Sequence, residues 1–93
     1  PVVPRDMNQC VIIDSDLAIL GQPAPRFDEY ERQIRREYAW VPEEIYGRKR
    51  GEFLTSFLKA ERLYWTDVCY EKYEERARKN LDRLVRRLGE DFP

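Results

Sequence analysis

Apolar residues recur at spacings of three and four through the last two thirds of this chain, a period that suits amphipathic helices and leaves little room for strands. Phe27, Tyr30, Ile34, Tyr38 and Val41 form one such stripe, and Asp28 with Glu31 makes a capping-box-like start, which predicts a helix over 28–40. Pro42 suits the first position of the next helix, with Glu43 and Glu44 near its positive end. Its stripe runs Ile45, Tyr46, Phe53, Leu54, Phe57 and Leu58, weakened early by Gly47 and Gly51, and predicts a helix over 42–60. Thr66 offers an N-cap for a last helix over 66–88, whose stripe holds Cys69 or Tyr70, Tyr73, Ala77, Leu81, Leu84 and Leu88, with Gly89 as its stop.

The first quarter is less regular. Residues 1–13, with Pro1 and Pro4 and no period, read as an extended arm, and the short apolar run Cys10-Val-Ile-Ile13 suits a strand or the first turn of a buried helix equally. Asp14-Ser-Asp16 supplies oxygens for a helix start, Leu17-Ala-Ile-Leu20 follows, and Gly21 fits the C′ position, which predicts a short apolar helix over 14–20. Gln22-Pro-Ala-Pro25 reads as a linker. The expected architecture is therefore all-α, four helices in one small domain, with 14–93 as its helical segment.

Composition removes whole classes of function. The chain has no histidine, so Ser–His–Asp and Cys–His sites and His-ligated metal sites are excluded within these 93 residues. Seventeen Lys and Arg against eighteen Asp and Glu give a net charge of −1, which removes the global electrostatic case for a nucleic-acid partner. With 38% charged residues and a mean hydropathy of −0.79, no membrane span is expected. Cys10 and Cys69 match no zinc or redox spacing and point to a reducing, cytoplasmic setting. A start at Pro1-Val-Val-Pro4, without Met or a signal sequence, reads as that of an excised fragment.

Among residues that can carry chemistry, Asp14 and Asp16 form a carboxylate pair against an apolar segment. Helix capping is the simpler reading, and ligation of a hard divalent metal is the sharper one. Arg35 and Arg36 on the second helix and Arg50 on the third can contact phosphate through their forks, or can lie on solvated faces in i,i+4 pairs. Arg78 and Asn80 suit the closing of helix ends. The tyrosines and tryptophans fall mostly at core-facing periods, and the basic excess of the last helix is interleaved with acids.

Asp14-Ser-Asp16-Leu17-Ala18-Ile19-Leu20-Gly21 resembles the "DADLAILG" element of the predicted metal-dependent HD-type phosphohydrolases. Tyr30, Ile34-Arg35-Arg36-Glu37-Tyr38, Val41-Pro42, Tyr46, Arg50, Phe53-Leu54, Phe57-Leu58, Leu63-Tyr64-x-Thr66 and Glu74-x-x-Ala77-Arg78-x-Asn80-Leu81 continue the similarity in order, over about residues 12–85. The resemblance implies a helical fold in which one His, a His-Asp pair and a later Asp hold a divalent metal, Mg, Mn or Fe, and metal-bound water attacks a phosphate ester. It implies Asp16 as the metal ligand and Asp14 as a weaker partner behind it. Lacking histidine, the chain corresponds to the C-terminal part of that fold and is expected to be inactive alone, with no metal held by this part and an upstream half as its missing partner. The other reading is a helical protein–protein interaction module without enzymatic activity.

An all-apolar helix over 14–20 must be covered. Three further stripes already need one another, so the expectation is a homo-oligomer, a twofold dimer, whose contact includes Ile12, Ile13, Leu17 or Leu20 and allows the N-terminal arm to exchange.

Overall fold

A computed structural model describes residues 3–91, with side chains through Leu88; residues 1–2 of the expected arm and 92–93 of the expected helical segment lie outside them. The chain is all-α. Four helices follow one another, α1 (Met7–Leu17), α2 (Ala24–Glu37), α3 (Glu43–Leu58) and α4 (Asp67–Asp91), with a 3-10 turn at Ala18–Gly21 between the first two.

The first of these corrects two expectations. There is no extended arm over 1–13 in the described residues, nor a helix starting at Asp14, because Asp6 caps the helix eight residues earlier. Its Oδ1 accepts the Gln9 N–H at 2.9 Å, and Gln9 Oε1 accepts the Arg5 N–H at 2.8 Å, a reciprocal arrangement close to a capping box. Cys10-Val-Ile-Ile13 is thereby helical, and Asp14-Ser-Asp16 sits in the last turn instead of the first. The Leu17-Ala-Ile-Leu20 run then tightens into the 3-10 turn, where Leu20 enters the core at 5% exposure.

Gly21 does not adopt the left-handed C′ conformation, since no glycine among the described residues has a positive φ. Its role is close approach. A Cβ at this position would lie 2.6 Å from Tyr73 Cβ, so only hydrogen lets the turn press against α4. Gly89 likewise fails to stop α4, which runs on to Asp91.

The expected linker over 22–25 is shorter than its prolines suggest. Pro23 is the N-cap of α2 and Pro25 occupies its first turn, where a missing N–H costs nothing because no helical acceptor is available there. Asp28 and Glu31 therefore lie inside the helix and serve as ion-pair partners, Asp28 to Arg83 at 3.1 Å and Glu31 to Arg50 at 2.6 Å.

Helix α4 is the spine, and α3 and the 3-10 turn pack along it. The buried cluster is Leu20, Phe27, Leu54, Leu63, Tyr64, Ala77, Leu81 and Leu84, drawn from every segment except α1. Asn80 Nδ2 closes the turn by donating to the Leu20 and Gln22 carbonyls, both at 2.9 Å. Arg78 closes α3, donating to the Leu58 and Ala60 carbonyls at 3.1 and 2.8 Å. Both residues thus close the ends of neighbouring segments from the middle of α4.

Candidate functional site

The connection from α3 to α4 has no secondary structure of its own over 63–66, and four successive backbone N–H groups there need acceptors. Two buried carboxylates provide them. Glu74, two turns into α4, accepts from Leu63 N at 2.9 Å and Tyr64 N at 3.1 Å and pairs with Arg78 Nε at 2.7 Å. Asp14, reaching over from α1, accepts from Trp65 N and Thr66 N at 2.8 Å each, and from Thr66 Oγ1 at 2.6 Å. Thr66 Oγ1 in turn accepts the Cys69 N–H at 3.2 Å, so it caps α4 as its sequence predicts.

Asp14 is 2% exposed. Burial pushes its carboxyl up, but the hydrogen bonds from the Thr66 hydroxyl and from the Trp65 and Thr66 backbone outweigh it and hold the group below the ordinary carboxylate range. The expected capping of a helix start at Asp14 is not what the structure has: Asp14 lies in the last turn of α1 and accepts from Trp65 and Thr66, just before α4, far along the chain. With both oxygens occupied, its carboxylate faces inward.

Asp16, two residues on, points the other way and is exposed. It stands at the rim of a cleft of about 160 Å³ whose other walls are Ile13, Leu17, Phe57, Arg62, Leu63 and Trp65. Arg62 is committed to the chain itself, its Nε donating to the Tyr64 carbonyl at 2.6 Å and its guanidinium lying 4.6 Å from the Tyr70 ring centre. Tyr64 is fully buried and its hydroxyl donates to the Leu17 carbonyl at 2.6 Å, tying the end of α1 to the connection. Among the described residues no three acidic or cysteine side chains converge as a metal-binding group, so Asp16 offers one carboxylate and no complete donor set.

The three candidate phosphate-binding arginines do not converge. Arg36 is exposed and pairs with Glu29 at 3.2 Å. Arg35 and Arg50 do line one cavity, of about 300 Å³, together with Tyr46, Glu31 and Arg87. Arg50 donates twice to Glu31, at 2.6 and 3.2 Å, and both side chains are largely buried. Arg35 lies 4.5 Å from the Tyr46 ring centre and donates to the Tyr38 and Val41 carbonyls at 2.9 and 3.1 Å, closing the turn after α2. Both forks already serve internal acceptors. Tyr46 Oη is buried without a hydrogen-bond partner among the described residues, and burial raises its pKa.

A wider groove of about 510 Å³ opens between the end of α2 and the start of α3, with Ile34, Tyr38, Trp40, Val41, Ile45 and Phe53 among its lining. Several of these were expected to be core, yet Trp40 is 78% exposed and Phe53 52%. Helical period identifies the inner face of a helix but not whether a neighbour covers it. Both cysteines are free thiols, and no helix among the described residues is long and apolar enough to cross a membrane. No family model, curated protein or solved structure matches the chain.

Proposed function

We propose that this chain is the C-terminal helical part of a metal-dependent HD-type phosphohydrolase and that Asp16 is its contribution to the metal site. The observation that carries the reading is the contrast within one helical turn. Asp14 is fixed internally by three hydrogen bonds, while Asp16, in the segment that resembles "DADLAILG", stands exposed with no partner among the described residues at the edge of an apolar cleft. A carboxylate left free on so firmly anchored a turn suits a ligand whose direction must be set, with Asp14 acting behind it as an anchor. The metal is a divalent ion, Mg, Mn or Fe, and the reaction is hydrolysis of a phosphate ester in a cytoplasmic setting. One carboxylate falls short of the three or four ligands such an ion needs, so the remaining ligands belong to an upstream segment and the chain alone is inactive.

The test uses the longer protein encoded with its upstream sequence. Mn- or Mg-dependent release of phosphate should fall by more than about 100-fold in Asp16→Asn while the melting temperature is kept. Full activity in that variant, or an upstream sequence without a His and a His-Asp pair, sinks the proposal. A second reading, a non-enzymatic interaction module, draws on the solvent-facing groove beside Trp40; it predicts that Asp16→Asn leaves every activity of the longer protein unchanged.

A further inference from the structure

The cleft beside Asp16 holds a second charge. Arg62 lines it as well, and neither the carboxylate nor the guanidinium joins an ion pair, with each other or with any other group, among the described residues. Opposite charges that line one small cleft attract, so the gap between them has to be held open. On one side Arg62 is braced, its Nε donating to the Tyr64 carbonyl at 2.6 Å and its guanidinium lying 4.6 Å from the Tyr70 ring centre and 5.5 Å from that of Trp65. On the other, the turn that carries Asp16 is tied to the same connection through Asp14 and the Tyr64 hydroxyl.

The brace on Arg62 uses one N–H and the faces of the guanidinium. Its Nη1 and Nη2, the amino groups of a fork that matches phosphate oxygens, have no acceptor among the described residues. The three arginines expected to contact phosphate differ in this respect, since Arg35 donates to the Tyr38 and Val41 carbonyls, Arg36 to Glu29 and Arg50 to Glu31. The remaining lining of the cleft, Ile13, Leu17, Phe57, Leu63 and Trp65, is apolar or aromatic. A cavity of about 150 Å³ with apolar walls takes up one benzene molecule, so the roughly 160 Å³ here suit a group the size of one ring.

We propose that Arg62 is the phosphate-binding residue of the hydrolase and that the cleft receives the organic group of a phosphate monoester, an apolar or aromatic group of about one ring. The inference rests on Asp16 being the metal ligand and leaves Asp16 to the cation: the carboxylate draws the cation and the guanidinium draws the phosphate that comes with it. It moves the phosphate contact away from Arg35, Arg36 and Arg50 to a residue whose place beside Asp16 only the folded chain reveals.

The test uses the longer protein encoded with its upstream sequence, in the presence of Mn, and reads binding by calorimetry. The probes are inorganic phosphate and phenylphosphonate, a mimic of a phosphate ester that is not hydrolysed. Phenylphosphonate should bind the wild type about tenfold or more tighter than inorganic phosphate, because its ring is buried against the apolar walls. Arg62→Gln should weaken both probes about tenfold or more and leave the affinity for Mn within about threefold, whereas Asp16→Asn should lose the Mn. Since Arg62 also braces the connection, Ile13→Phe checks the cleft without touching it: the larger side chain should weaken phenylphosphonate about tenfold and inorganic phosphate less than about threefold. A wild type that binds the two probes alike, or an Arg62→Gln variant that holds inorganic phosphate as the wild type does, overturns the proposal. If Asp16→Asn keeps its Mn, the hydrolase reading fails and this inference with it. If Asp16→Asn loses the ion while Arg62→Gln still binds phosphate, the role of Arg62 alone is refuted.

Discussion

Where α1 meets the connection into α4, buried polar groups are matched one for one, whereas at the meeting of α2 and α3 a buried tyrosine hydroxyl lacks a partner among the described residues and large rings face water. The first region holds an irregular connection by two carboxylates, Asp14 and Glu74, that between them accept four consecutive N–H groups. The second relies on Arg35 over the Tyr46 ring and on Arg50 paired with Glu31, and leaves Trp40 and Phe53 outside. The difference separates positions that fix the fold from positions free to meet something else. Substitutions should therefore cost stability at one end and little at the other.

The largest effect belongs to Asp14. Replacing it with Ala leaves three part-buried donors without their acceptor, and loss of hydrogen bonds to a charged acceptor should destabilise the chain by about 4 kcal/mol. That approaches the whole stability of a small domain, so thermal unfolding of Asp14→Ala should begin well below that of the parent. Asp16→Ala, two residues away and exposed, should stay within about 0.5 kcal/mol of wild type. Equal losses at the two positions would show that the anchoring assigned to Asp14 is wrong.

Gly21→Ala comes next. The added methyl meets the Tyr73 Cβ at 2.6 Å, and Tyr73 packs on both the core and the Tyr64 ring, 5.4 Å away, so neither side yields cheaply. Overpacking of this kind costs about 1–3 kcal/mol, measurable as a shift in the denaturant midpoint at constant slope. A wild-type midpoint in Gly21→Ala would mean that the turn stands off from α4.

Acid should act on the same region. The folded-state pKa of Asp14 is lowered, so the folded form binds the proton more weakly than the unfolded form does. The associated stability is complete above the unfolded pKa, near about 4, and is lost as the pH falls through the lower folded value. Stability measured by urea titration should accordingly decline below about pH 4. Asp14→Asn should decline less steeply there, because its side chain does not titrate.

Why some of this was legible in the sequence and some not follows from range. Helix α4 keeps one apolar stripe, and its core residues Ala77, Leu81 and Leu84 follow from spacing alone. Helix α1 was harder to read because Asp14 looks like a local cap, whereas its partners are 51 and 52 residues away. A local signal did exist in Asp6-x-x-Gln9, whose side chains make the actual cap. Glu74 carries no mark beyond its i,i+4 spacing to Arg78, and its N–H partners lie in a connection without a period to read. Tyr38, Ile45 and Phe53 sit on apolar stripes and yet face water, because a stripe does not say whether its cover comes from the same chain.

The smallest effect on stability, and the one that separates the two ends most cleanly, pairs Gly51→Ala with Trp40→Ala. Nothing lies within 4 Å of a Cβ at Gly51, which is inside α3, so Ala gains helix propensity without a clash and should stabilise the chain by about 0.5–1 kcal/mol. Trp40 is 78% exposed and its ring touches chiefly Tyr38, at 6.2 Å between centroids, so its removal should change the unfolding free energy of the monomer by less than about 0.5 kcal/mol. Both variants should thus melt at or above wild type when measured dilute. If Trp40→Ala instead lowers the midpoint at a concentration where the protein is monomeric, the ring is holding the α2–α3 turn together, and the division between a fold-fixing end and a free end fails at its most exposed residue.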